Sequence, residues 1–148
     1  MADLAVRPVS PRVAERVRVA LFALKSHFND YFDHGWLAIT IDTLPIDRSV
    51  LRQVREMLTH TGVYEEDIPE LRAGVRRLER FCDEMRRYLM PDLRERLGVS
   101  GLLGPRAQRS GADRVQRELF CMTFPGNLER LELLTEALHD ALDDVAID

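Results

Sequence analysis

The chain has 148 residues, 45% of them hydrophobic and 31% charged, with a formal net charge of −4 and a pI near 5.6. That length suits one domain that buries a core without disulfides or metals. The acidic balance argues against a general nucleic-acid binder, whose footprint is basic.

Cys82 and Cys121 are the only cysteines and form no C-x-x-C pair, so no disulfide framework is expected. Arg12, Glu15, Arg16 and Arg18 interrupt the apolar positions near the N-terminus, which speaks against a signal-peptide core. No segment approaches the ~20 apolar residues of a membrane span. The expectation is a small soluble protein of bacterial type, cytoplasmic, with both thiols reduced. Lys25 is the only lysine; a GC-rich genome produces such a bias, and so does the use of arginine as a planar fork for carboxylate or phosphate.

Residues 1–9 carry no capping signal and are read as an arm, with 10–148 as a single helical-bundle domain. The spacing predicts a first helix over 11–33, with Ser10 as N-cap and Pro11 at the first helical position. Val13, Val17, Ala20, Leu21, Leu24, Phe28 and Tyr31 share its apolar face. The segment 36–42 alternates in strand fashion. It is left as an extended segment over the bundle, a strand pairing with its copy in another subunit, or a continuation of helix.

Asp47 is the expected cap of the next helix, whose stripe is Val50, Leu51, Val54, Met57 and Leu58. A third begins near Pro69. There Leu71, Val75, Leu78, Cys82, Met85 and Leu89 step 4-3-4-3-4, a heptad seam. Pro91 should break that helix and leave a short piece after it. Gly98 to Arg114 is glycine- and arginine-rich and is read as a connector, with an anion- or partner-binding loop through Arg106 and Arg109 as the alternative. Beyond it, Ala112, Val115, Leu119 and Met122 mark a helix, Pro125-Gly126 a turn, and Asn127 the cap of a last helix faced by Leu128, Leu131, Leu134, Leu138, Leu142 and Val145. The fold class expected is all-α, an antiparallel bundle of four long helices with short pieces. Apolar residues spread further around the first and last helices than such a core needs, leaving surface for a second subunit.

No catalytic constellation stands out. Both cysteines sit on or beside apolar faces, where thiols are inert, and no serine fits a nucleophile elbow. Glu136 and His139 form the E-x-x-H spacing of di-iron bundles, which need it twice; Glu56 and His60 are neighbours of another kind, and no cofactor is expected. Trp36 is the side chain chosen to mark a partner surface. The leading reading is therefore a non-enzymatic interaction module (adaptor, assembly or regulatory subunit) that binds its own copy, as a homodimer, or another protein. One alternative is a bundle holding a metal, haem or small organic ligand, through Glu136 and His139 or a cavity lined by Met57, Met85, Phe81 and Phe120. Another is a dimeric nucleic-acid-binding regulator using Arg76, Arg77, Arg80, Arg86 and Arg87, although Glu79, Asp83 and Glu84 dilute that field.

Overall fold

The computed structural model describes residues 9–33, 48–59, 63–97 and 111–145. Among these the protein is all-α, with five α-helices and no strand. Helix α1 spans Pro11–His27 and continues as a π-helix over Phe28–Asp33. Helix α2 is Arg48–Leu58. A 3-10 turn, Glu65–Asp67, leads into α3, Ile68–Glu84, which ends in a π-helical stretch over Met85–Leu89. The short α4 is Leu93–Arg96, and α5 runs over 35 residues, Gly111–Val145. The segment 36–42, the glycine loop up to residue 110, and residues 1–8 lie outside the described residues, and with them the alternatives for the strand-like stretch.

Cross-contacts give the helix directions. Arg16 pairs with Asp144 and His27 reaches Asn127, so α1 and α5 are antiparallel. Arg72 pairs with Asp143 and Arg86 with Glu132, so α3 is antiparallel to α5 as well. Helices α1 and α3 are therefore parallel to one another, on either side of α5, and α2 packs on both. The core lies between these four.

The heptad seam of α3 is buried from end to end, with Leu71, Leu78, Met85 and Leu89 fully inaccessible. Pro11 occupies the first position of α1, but Ser10 does not cap with its side chain; its carbonyl accepts from the Ala14 N–H at 2.8 Å. Pro91 stops α3 as expected: the Met90 N–H bonds back five residues to the Met85 carbonyl at 3.2 Å, and α4 follows two residues later. Val9, assigned to the arm by sequence, is buried with the core.

The turn expected at Pro125-Gly126 does not form; one helix runs through it. Proline inside a helix costs about 3 kcal/mol. The stripe Phe120, Phe124, Leu128, Leu131, Thr135, Leu138 and Leu142 is buried without a break across the proline, and this burial outweighs that cost at ~1.5–3 kcal/mol for each large side chain. Polar side chains tie the region down. Thr123 donates to the Leu119 carbonyl and Asn127 to the Thr123 carbonyl, both at 2.8 Å. From α1, His27 Nε2 donates to the Asn127 carbonyl at 2.9 Å. Asn127 is thus a mid-helix residue, not a cap.

Two glycines respond oppositely to a methyl group. Gly74 of α3 faces Met57 of α2, and an added Cβ would lie on Met57 Cγ and 2.8 Å from its Cβ. Gly126 has open space at that position. Gly74→Ala is expected to lose about 1–3 kcal/mol by overpacking, and Gly126→Ala to gain about 0.5–1 kcal/mol of helix propensity. Urea unfolding of both variants checks the contrast; equal shifts would mean α2 and α3 are not this close.

Candidate functional site

The outer side of α1 and α5 carries the features that the core does not absorb. Along α5, Phe120, Cys121 and Phe124 turn inward. Val115, Leu119 and Met122, whose spacing marks this helix in the sequence, turn outward. The inward aromatics align with Leu128 and Leu131 along one continuous helix, and only one of the two apolar stripes can reach the core. Leu133 extends the outward stripe, and Val19 and Phe22 of α1 lie on the matching side of that helix. Phe22 is 72% exposed, Met122 69%, Leu133 60% and Val19 59%. These are the most exposed large apolar side chains of α1 and α5 among the described residues.

Between the two helices runs a groove of about 670 Å³. Its walls are built from small residues, Ala20 and Ala23 on α1 and Ala137 and Ala141 on α5, while Arg12 and Asp140 line it from opposite sides. Arg12 and Asp140 have no ion pair among the described residues. Of the charged residues on the groove, Arg12, Glu15 and Arg16 stand on α1 and Asp140 on α5; Arg16 is tied to Asp144 and Glu15 to Arg18.

The opposite flank of α5 faces α3, and the acidic and arginine-rich segments meet there within the chain. Arg86 forks onto Glu132, with its Nε 2.8 Å from Oε2, and the Glu132 hydrogen bond holds that guanidinium still more firmly protonated. Arg72 reaches Asp143 at 3.1 Å and the Leu142 carbonyl at 2.7 Å. Arg94 lies 3.5 Å from Glu118. These pairs are exposed, and each stabilises by about 0.2–1 kcal/mol.

Glu136 and His139 lie on this flank, in a cleft of about 220 Å³ shared with Glu79, Cys82, Asp83 and Glu132. His139 is held between carboxylates, Nδ1 3.4 Å from Glu79 and Nε2 3.4 Å from Asp143. Among the described residues no group of three or more His, Cys, Asp or Glu is arranged to hold a metal ion. Glu56 is exposed on α2, while His60 lies outside the described residues. Cys82 opens toward the cleft but is a poor nucleophile. Burial, helped by the charges of Glu132, Asp83 and Glu79, pushes its thiol up to about 12. Burial raises the Cys121 thiol too.

Met57, Met85, Phe81 and Phe120, suggested by sequence as a cavity lining, are core residues. Phe81 packs against Phe28 and Phe32 at centroid distances of 6.0 and 5.9 Å, and Phe120 against Phe124 at 4.9 Å. Tyr31 closes this aromatic cluster. Its hydroxyl lies 3.0 Å from Thr123 Oγ1, and burial pushes it up to about 12 despite that bond.

The partner-marking Trp36 and the loop arginines Arg106 and Arg109 lie outside the described residues. Val19 lines the groove; Phe22 and Leu133, exposed on the same two helices, were not singled out by the sequence. The signal for them was present, since Val19 and Phe22 sit off the Val13-Val17-Leu21-Leu24 stripe among charged neighbours. Comparison of the chain with protein families, curated proteins and solved structures gives no match. Among the described residues no helix is long and apolar enough to cross a membrane.

Proposed function

We propose that the protein is a non-enzymatic helical module that works by binding protein through the outer face of α1 and α5. The observation that carries this reading is the set of exposed large side chains on α1 and α5, Val19, Phe22, Met122 and Leu133, with Val19 on the wall of a groove lined by alanines. Burying an apolar side chain contributes about 25 cal/mol per Å², so a partner that covers this set gains binding energy where solvent now meets hydrocarbon. The thiols are withdrawn from chemistry by burial, and the arginines of α3 are partly occupied by the acids of α5. Both features favour binding over catalysis or nucleic-acid recognition.

A photo-crosslinking amino acid placed at position 22 tests this, with position 52, a charged and exposed site on α2, as the control. Irradiation in a lysate of the source cell should give a protein adduct, the chain itself or another identified by mass, at 22 and not at 52. No adduct at 22, or equal adducts at both, would overturn the reading.

A further inference from the structure

We infer that the outer side of α3 is a second binding surface, and that its occupant is an acidic segment of another protein, held by Arg76, Arg80 and Arg87. This surface lies apart from the α1–α5 face and stands or falls separately from it.

The sequence mixes both signs of charge between Arg76 and Arg87, and the structure sorts them. Arg86 is forked onto Glu132 of α5. Glu79 is turned to His139, and Asp83 lines the cleft that α3 shares with α5. These three charges belong to the α5 flank. Arg76, Arg80 and Arg87 are exposed and Arg77 is half-buried. None of the four forms an ion pair with a carboxylate among the described residues. Arg76 engages only its Nε, which donates to the Arg72 carbonyl at 3.5 Å. Glu84, half-buried, is the acid of this stretch that remains beside them. Helix α2, which packs on α3 where Met57 meets Gly74, brings no excess of acid. Its exposed charges among the described residues are Arg52, Arg55 and Glu56. A chain of net charge −4 thus carries one basic side.

The arginines define what fits there. A guanidinium with no carboxylate beside it keeps its planar fork of donors open, and that fork takes a carboxylate in bidentate fashion. Arg76, Arg80 and Arg87 stand at i, i+4 and i+11, so three forks are spread along about 15 Å of one helix. A partner helix laid along this side meets them with Asp or Glu at the same intervals.

The width of the patch chooses among anions. It is one helix wide, and its α5 edge is the cleft that holds Asp83, Glu132 and Glu136. Duplex nucleic acid carries a charge about every 1.7 Å on a body wider than a helix, so it would bring phosphates over those carboxylates. An acidic peptide lies along the arginines and stays clear of them. Like charges brought together penalise the duplex and spare the peptide.

Fluorescence anisotropy on the purified full chain at low ionic strength is the test. The probe is a labelled alanine-based helical peptide with glutamate at i, i+4, i+7 and i+11, which matches the arginines in either direction. A labelled DNA duplex of equal length is the comparison. The peptide should bind, and added salt should weaken it, as exposed ion pairs require. The triple variant Arg76→Ala, Arg80→Ala, Arg87→Ala should bind it about tenfold more weakly. Arg12→Ala with Arg18→Ala, both on α1, should stay within about twofold of the wild type. Alanine suits exposed helix positions, and far-UV circular dichroism verifies the fold of each variant. No binding of the peptide, equal binding by the triple variant, an equal loss in the α1 variant, or tighter binding of the duplex than of the peptide would overturn the inference.

Discussion

Leu78→Asp is expected to abolish cooperative folding, and Leu138→Asp to do the same. Both leucines are fully inaccessible, one in the seam of α3 and the other on the α5 stripe opposite it. An aspartate at either position must bury a carboxylate among apolar side chains or expel its helix from the core. A buried, unpaired charge costs several kcal/mol even after its pKa has risen. A domain holds only about 5–15 kcal/mol in total, and expelling α3 or α5 forfeits most of the core. Circular dichroism should show a loss of helical signal and a thermal scan without a sharp transition. Native helicity with a cooperative melt in either variant would mean that the helix in question does not face the core as described.

Phe81→Ala should leave a folded but much weaker protein. Phe81 is fully buried and touches the rings of Phe28 and Phe32, which join α1 to α3 where both helices relax into π-helical turns. Truncating a buried phenylalanine costs about 3–5 kcal/mol through lost transfer energy and the cavity left behind. For a chain of this length that corresponds to a fall in Tm of roughly 10–15 °C. The denaturant slope should stay near the wild-type value, since the variant still unfolds from a similar surface. A change of only one or two degrees would show that the aromatic cluster does not bind α1 to α3.

Much of this architecture was legible in the residues. The 4-3-4-3-4 spacing from Leu71 to Leu89 has only one burial solution, and α3 adopts it. The α1 face from Val13 to Phe28 was equally plain, and so was the stop at Pro91. Helix α5 was not. Pro125-Gly126 is a turn by local chemistry, and only the long-range alignment of Phe120 and Phe124 with Leu128 and Leu131 makes it continue. The inward face of this stretch was not legible for the same reason. Val115, Leu119 and Met122 are at helical spacing, and so are Phe120 and Phe124; spacing alone does not say which set meets α1.

The candidate site was legible in kind rather than in position. An apolar surplus on the first and last helices was visible in the sequence, and Val19, Phe22, Met122 and Leu133 are exposed on those two helices. The segregation of acidic and basic segments was also visible, and it resolves into pairs within the chain, Arg72–Asp143 and Arg86–Glu132 at α3; α1 adds Arg16–Asp144. Phe22 and Leu133 were missed because an apolar residue among charges looks like ordinary surface until its neighbour on another helix is known.

Native mass spectrometry on untagged protein tests the central claim most directly. A protein-binding module that meets its own copy should appear at twice the 17.1 kDa chain mass, with no further mass retained. A single-chain species carrying the added mass of a metal, haem or small organic ligand would contradict it, and would move the functional site from the outer face of α1 and α5 to the cleft of Glu136 and His139.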